Sequence, residues 1–433
     1  MGRAGKKQGN RLLNHATVPH TPASTLKPLS IYAPLIDNGR INYATVLDDT
    51  PVNFVGEEQR EYPRNSPDIY QGLITVKDAI RLSKNTVAVK LCRMFGAKEA
   101  FDELSERFNF DTLVIPSDKT GSSDAQIAPM ALGQMTRGVS LLKLTEAFSS
   151  FGADGVLRPA TTYIKVVDID GNPVLENSND GRRVFKESTA RIMNQLLKNV
   201  TASGTARQLT LDGSIEVAGK TGTSSGNLDK LFVGYTPYMA AGIWCGYDKA
   251  DRGVYALSKN HIEIWDEVMG DVHSAILNSD EQVKSFSTGG LLYRPYCMDS
   301  GQIYSDSCKL DVRGDRKEWG YFTEDNLPRG LCECHVICDY DWVSKGIADK
   351  TCPESNKIKI ALLKISGRNF PKEIVIADAE YEYRQEDNVK RPEDREKPYF
   401  YYLLPDNVYT GIKAGTTPFN RAGKRYNQKS KQK

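Results

Sequence analysis

Between Ile215 and Tyr247 the apolar residues leave the helical period and alternate, and this change of period constrains the fold more than any other feature of the chain. Ile215 and Val217 alternate ahead of Gly219-Lys220-Thr221-Gly222-Thr223, and two further strand-like runs, Leu231–Tyr235 and Met239–Tyr247, flank Thr236-Pro237-Tyr238 as a turn. Three strands with connections this short predict an antiparallel sheet. Helical spacing brackets it: Ile192, Met193, Leu196, Leu197 and Val200 come before, and Ile262, Trp265, Val268, Met269, Val272 and Ile276 follow. The order helices, strands, helix reads as an α+β fold, an antiparallel sheet covered by helices.

Two earlier segments read as helices. Ser24-Thr25-Leu26-Lys27 opens one, with Pro28 tolerated only near its first turn, Pro34 predicting a kink or an early end, and Asp37-Asn38-Gly39 a stop. Thr75-Val76-Lys77-Asp78 has the spacing of a capping box and opens the second. Ser83-Lys84-Asn85 interrupts that helix before Val87, Ala88, Leu91, Cys92 and Phe95 resume a helical face, which Gly96 closes. The tripeptide therefore lies at a junction between helices.

A length of 433 residues allows two or three domains, and 57 Lys+Arg against 55 Asp+Glu leave a net charge of only +2. That balance argues against a nucleic-acid partner, whose binding draws on neutralised phosphates. No run reaches the roughly 18 to 20 apolar residues of a membrane helix, and the basic start Met1–Lys7 is followed by no apolar signal-peptide core. Of 8 cysteines, Cys92 and Cys245 stand alone, whereas Cys297, Cys308, Cys332, Cys334, Cys338 and Cys352 crowd one stretch. Such a cluster suggests either disulfides or a zinc knot. The reading divides the chain into a main domain over 1–280, a Cys-containing extension over 281–355 and an irregular, partly disordered tail over 356–433. The tail is densely charged over 378–397 and carries six basic residues and no acid over 421–433.

A serine nucleophile needs a base, an oxyanion site and a substrate grip, and lysine can replace histidine as the base. Ser24 and Lys27 are three residues apart, one helical turn, so both project from one face. The pattern alone is weak, because Ser140 with Lys143 and Ser430 with Lys433 also match it. Ser-x-Asn likewise occurs at Ser83, Ser225 and Ser258, and Lys-Thr-Gly at Lys119 and Lys220. Order discriminates among them. Ser83 lies 59 residues beyond Ser24 and Lys220 lies 196 beyond it, at the end of an alternating run, whereas Lys119 falls in a loop-like stretch.

In that order the motifs resemble the signature of the penicillin-binding transpeptidases, Ser-x-x-Lys, Ser-x-Asn and Lys-Thr-Gly. The closest likeness is to the transpeptidase domain of the class A, bifunctional members. It extends to Thr25-Leu26-Lys27-Pro28, Ala131-Leu132-Gly133, Ser203-Gly204-Thr205, Ala218-Gly219-Lys220-Thr221-Gly222-Thr223 and Phe232-Val233-Gly234-Tyr235-Thr236-Pro237, over about residues 10 to 280.

The resemblance implies a β-lactamase/transpeptidase-like fold and two-step acyl transfer on peptidoglycan stem peptides ending in D-Ala-D-Ala, with β-lactams trapped as slow acyl-enzymes. Ser24 would be the nucleophile, Lys27 its base, Ser83 a proton relay and Asn85 a partner of the substrate amide. Lys220, Thr221 and Thr223, with Gly222 between them, would bind the substrate's terminal carboxylate, and the Ser24 and Thr223 N–H groups would form the oxyanion hole. No metal or organic cofactor is expected for the reaction. Implied partners are the stem peptides, β-lactams and the cell-wall synthesis machinery, on the outer face of a bacterial plasma membrane. Ala23 departs from the glycine usual before the nucleophile, and Leu231 from a common aromatic; neither supplies chemistry. The family's membrane helix, glycosyltransferase domain and two sheet strands ahead of the nucleophile are not found, so the chain is read as truncated. Cysteine pairs in some class A relatives tilt the cluster towards disulfides over zinc.

Three other functions compete. Gly222-Thr223-Ser224-Ser225-Gly226 spells the nucleophile elbow of α/β-hydrolases, but an elbow joins a strand to a helix and here a turn leads into another strand. A β-lactamase or D,D-carboxypeptidase would need a water-activating base, and no glutamate is nominated for it. A non-catalytic module that binds penicillin or peptidoglycan would keep the site without turnover.

Overall fold

A computed structural model of the chain describes residues 9, 12–49, 52–55, 60–67, 70–115, 121–177, 180–213, 215–248, 252–255, 259–279, 282–311, 314–341, 346–348, 350–365 and 399–401. Lys119, Ser258, the charged run 378–397 and the basic tail 421–433 lie outside these residues. The described residues fall into two compact units, one within 1–40, 80–83 and 88–291, the other within 41–79, 84–87 and 292–433. Residues 41–79 group with the C-terminal region.

In the first unit the three expected strands form one antiparallel sheet, Ala218–Thr223, Asp229–Tyr235 and Ala240–Gly246, in sequence order. Lys220 pairs with Val233, Thr221 with Phe232 and Gly222 with Leu231. Alternation sends Phe232 and Gly234 to the face where Trp265 of helix His261–Leu277 packs, the Phe232 and Trp265 rings lying edge to face 5.0 Å apart. Val233 and Tyr235 take the opposite face, where the Tyr235 hydroxyl donates to Asn194 of helix Glu187–Ala202. Residues directly opposite share a face, so Lys220 lies on this second, helix-covered side. Its burial follows from register.

The expected apolar stripe Ile192, Met193, Leu196, Leu197 and Val200 is fully buried. In His261–Leu277 the stripe is narrower than read: Ile262, Trp265 and Met269 are buried, Val268 and Val272 face solvent, and Asp266 and His273 turn inward. Asp266 accepts the N–H groups of Thr210 and Leu211, at 2.8 and 3.0 Å, which repays the burial of its charge. Among the described residues no helix is long and apolar enough to cross a membrane.

The helix expected from Ser24 to Pro34 is built in three pieces. A 3-10 turn, Ala23–Thr25, precedes a π-helical turn, Pro28–Tyr32, which runs into a short α-helix, Ala33–Asp37. Pro34 neither kinks nor ends it. The Ala33 N–H reaches back five residues to Pro28 O, and Pro34, which lacks an N–H, then stands in the first turn of the α-helix, where none is needed. The helix stops at Asn38-Gly39, with Gly39 at φ +73°.

The second unit contains the pair Val46–Asp49 with Gly72–Thr75, the pair Leu292–Cys297 with Lys317–Phe322, and a sheet ordered Gly346–Ile347, His335–Asp341, Lys357–Ile365 and Tyr399–Tyr401. Tyr43 packs edge-on against Tyr296, Tyr321 and Phe322, and Asn42 Nδ2 donates to Asn326 O, which is why 41–79 belongs here.

Candidate active site

The Ser24 turn is held by close backbone approach. Ala23 sits at φ +48°. A Cβ on Gly133 would lie 2.1 Å from Ala23 O, and one on Gly222 would lie 2.8 Å from Pro22 O and 2.9 Å from Thr25 Cγ2. Two glycines therefore let the Ala131-Leu132-Gly133 segment and the Lys-Thr-Gly strand close on the serine turn from separate directions.

Lys27 and Lys220 are both buried and both end on Ser83. Lys27 Nζ donates to Ser83 O at 2.8 Å, while Lys220 Nζ donates to Ser83 Oγ at 2.8 Å and to Thr221 O at 3.0 Å. Ser83 occupies the expected junction, between helices Val76–Arg81 and Asn85–Phe95, at φ +58°. The capping spacing read at the first of these helices is present, with the Asp78 N–H donating to Thr75 Oγ1 at 3.2 Å. Burial lowers the Lys220 pKa from 10.5 to about 7. Its hydrogen-bond partners, one hydroxyl and one carbonyl, carry no charge to offset that burial.

Thr221 Oγ1 lies 2.6 Å from Thr205 Oγ1. The Ser203-Gly204-Thr205 segment is fixed in turn to the helix preceding Ser83: Arg81 Nη1 donates to Ser203 O at 3.1 Å, and a Cβ on Gly204 would lie 2.4 Å from Arg81 O. Thr223, the last residue of the strand, is exposed. Ser224 closes the loop after it, exchanging hydrogen bonds with Asp229 at 2.8 and 2.9 Å, so the run resembling a hydrolase elbow is a strand-to-strand connection. At the competing Ser140, Oγ accepts the Lys143 N–H at 3.3 Å as a helix cap.

Within the second unit, Asn85 donates Nδ2 to Arg64 O at 2.7 Å and its N–H to Asn65 Oδ1 at 2.9 Å. Beside it, Lys84 Nζ meets Asp49 Oδ2 at 2.8 Å. Asp49 is fully buried and also accepts Asn65 Nδ2 at 2.7 Å, the Gln71 N–H at 3.0 Å and Thr86 Oγ1. Sequence reasoning missed Asp49 and Asn65, which together pin the residues after Ser83. Neither falls in a motif, so spacing carries no signal for them.

The disulfides expected among the clustered cysteines are not formed between Cys297, Cys308, Cys332, Cys334 and Cys338, which are thiols. The fold instead gathers several of them around a histidine.

The fold and these motifs define a class. A family model described as the penicillin binding protein transpeptidase domain matches residues 3–264. Solved structures share the fold: penicillin-binding protein 1A of Haemophilus influenzae, at TM-score 0.56 and 19% identity, covering 74% of this chain and 50% of that one, and PonA1 of Mycobacterium tuberculosis in complex with penicillin V, at 0.53 and 18%, covering 64% and 74%. In sequence the chain is 31% identical to penicillin-binding protein 1A of Clostridium perfringens, over 72% of this chain and 37% of that protein. It is 32% identical to penicillin-binding protein 1A of Clostridium tetani, over 76% and 42%. The chain belongs to the penicillin-binding protein transpeptidase family, and it spans about two fifths of the length of these curated relatives.

Proposed function

We propose that the chain is a serine-type D,D-transpeptidase that cross-links peptidoglycan stem peptides through an acyl-enzyme and is acylated by β-lactams. The observation that carries this reading is the meeting of two buried lysine side-chain nitrogens on Ser83, one at its carbonyl and one at its hydroxyl. In the first step Ser24 Oγ attacks the penultimate D-Ala carbonyl while Lys27, uncharged, takes its proton. The N–H groups of Ser24 and Thr223 receive the oxyanion, each such donor being worth on the order of 3 kcal/mol. The C–N bond then breaks, and the departing D-alanine amine gains a proton through Ser83. Lys220, whose pKa of about 7 suits it to give and retake a proton at neutral pH, recharges that hydroxyl. In the second step a neighbouring stem's amine attacks the ester, the same relay removes its proton, and Ser24 is regenerated. Asn85 orients the peptide amide, and Thr221 and Thr223 with Lys220 take the terminal carboxylate.

This role places the protein with the cell-wall synthesis machinery on the outer face of the bacterial plasma membrane. Fluorescent penicillin labelling followed by mapping of the modified peptide tests the reading. The adduct is expected at Ser24, with Ser24→Ala unlabelled and wild-type protein releasing D-alanine from a stem peptide. An adduct elsewhere, or none on folded protein, overturns the nucleophile; labelling without D-alanine release makes the chain a penicillin-binding module.

A further inference from the structure

In the C-terminal region the sulfurs of Cys297, Cys332 and Cys334 and the Nδ1 of His335 all lie within 4.8 Å of one another. His335 Nδ1 is 3.6 Å from Cys297 Sγ, 3.3 Å from Cys332 Sγ and 3.5 Å from Cys334 Sγ, and the last two sulfurs are 3.3 Å apart. Four ligands on a tetrahedron with zinc–sulfur bonds of about 2.3 Å and a zinc–nitrogen bond of about 2.0 to 2.1 Å are spaced by about 3.6 to 3.8 Å. The donors are thus nearly at coordination spacing.

Their surroundings are those of ligands. Cys297 ends strand Leu292–Cys297, and Cys332 and Cys334 lead into His335, the first residue of strand His335–Asp341, so rigid elements aim the set from two sides. Behind the imidazole, His335 Nε2 lies 2.9 Å from Asp311 Oδ2 and 3.3 Å from Asp299 Oδ2, though off the line of a well-aligned hydrogen bond. Asp299 is itself clamped by Arg316, at 2.8 and 3.0 Å. A carboxylate behind a ligating histidine fixes its tautomer and turns the other nitrogen towards the metal. The sulfurs receive donors too: the Asp299 N–H points to Cys297 Sγ at 3.4 Å and Ser300 Oγ to Cys332 Sγ at 3.3 Å. Hydrogen bonds of this kind stabilise thiolates rather than thiols.

We propose that Cys297, Cys332, Cys334 and His335 Nδ1 bind one zinc ion as a closed, structural site, with Asp299 and Asp311 as its outer shell. Three thiolates and an imidazole select a soft or borderline ion over magnesium or calcium, which take oxygen ligands. A disulfide would use two of the four donors and leave a third buried sulfur and the histidine without a role. Cys308, buried in the same cluster, is the neighbouring thiol outside the coordination set.

The test uses the whole chain, made in zinc-supplemented medium without a metal-chelating tag, with zinc measured by mass spectrometry. About one zinc per chain is expected. Cys297→Ser and His335→Ala should lose it, Cys308→Ser and Cys245→Ser should keep it, and Asp311→Asn should weaken binding by about tenfold or more. Because the ligand variants can fail to fold, wild-type protein stripped by chelator and reloaded with cobalt gives a second reading: sulfur-to-cobalt charge-transfer absorption is expected. Wild-type protein that holds no zinc and takes up no cobalt after reduction overturns the proposal. So do disulfides among Cys297, Cys332 and Cys334, or stoichiometric zinc in a folded Cys297→Ser. Loss of zinc from Cys308→Ser but not from His335→Ala overturns the assigned ligand set.

Discussion

The surroundings of Lys220 and those of His335 show two ways of burying a polar side chain. Around Lys220 the sheet face is apolar: Ala218 and Val233, which share that face, are fully buried. One amine is carried onto that face by strand register and loses its hold on its proton, reaching about 7. Around His335 the buried groups are themselves polar, namely Cys297, Cys308, Cys332, Asp299 and Asp311. An apolar core tolerates an ionisable group by keeping it close to neutral, whereas thiols, carboxylates and an imidazole gathered together make a set of donors.

Replacing each centre by an apolar side chain of similar size gives the largest expected contrast. Lys220→Met removes the donor to Ser83 Oγ and should slow penicillin acylation by roughly 100-fold or more, while thermal stability holds or rises because a buried amine is no longer desolvated. His335→Leu should leave acylation chemistry intact and lower the melting temperature. A lysine variant that acylates at the wild-type rate, measured by stopped-flow labelling, would remove Lys220 from the relay.

Next in size is a pair of glycines. Gly133→Ala forces a Cβ to 2.1 Å from Ala23 O at φ +69°, so it should cost about 2 to 4 kcal/mol in denaturant unfolding. Gly330→Ala in the other unit has the same left-handed backbone, φ +74°, but its nearest neighbour is Gln302 Nε2 at 3.7 Å, and only the backbone cost of roughly 1 kcal/mol is expected. Equal losses would mean that packing on the serine turn contributes nothing.

The pH dependence is smaller and its sign is fixed. In the unfolded chain Lys220 titrates near 10.5, whereas burial lowers the folded value to about 7. Between those values the unfolded state binds more protons, so unfolding free energy rises as pH climbs from 7 towards 10.5 and falls again as pH returns to 7. Urea denaturation at pH 7 and 9 should differ by about 1 to 2 kcal/mol more in wild type than in Lys220→Met. Identical differences would show that Lys220 stays charged in the fold.

How much of this was legible in the sequence depends on how each feature is encoded. The sheet was readable because alternation at Ile215, Val217 and Leu231–Tyr235 is a local pattern, and the triplets at Ser24, Ser83 and Lys220 because their order survives in one dimension. Asp49 was not: a single aspartate with four neighbours distributed over 65–86 leaves no periodic trace. The cysteine cluster was visible as composition, but choosing between pairing and coordination needed the imidazole of His335 facing three sulfurs, which spacing does not report. Val268 and Val272 were misread because the helix carries more apolar residues than its buried face accepts.

Ala23 supplies the finest discrimination. In the sequence it was a departure from the family's glycine without chemical consequence; in the fold it stands at φ +48°, where a Cβ crowds its own carbonyl. The cost of that conformation is roughly 1 to 2 kcal/mol, and a glycine recovers it less the 0.5 to 1 kcal/mol of extra chain entropy it loses on folding. Ala23→Gly should therefore stabilise the protein by about 0.5 to 1 kcal/mol, read as a higher denaturant midpoint at unchanged slope. Because the residue adjoins Ser24, a stabilised turn that acylates no faster would assign the strain to tolerated drift, whereas a slower variant would show that the alanine's backbone restriction helps to aim the nucleophile.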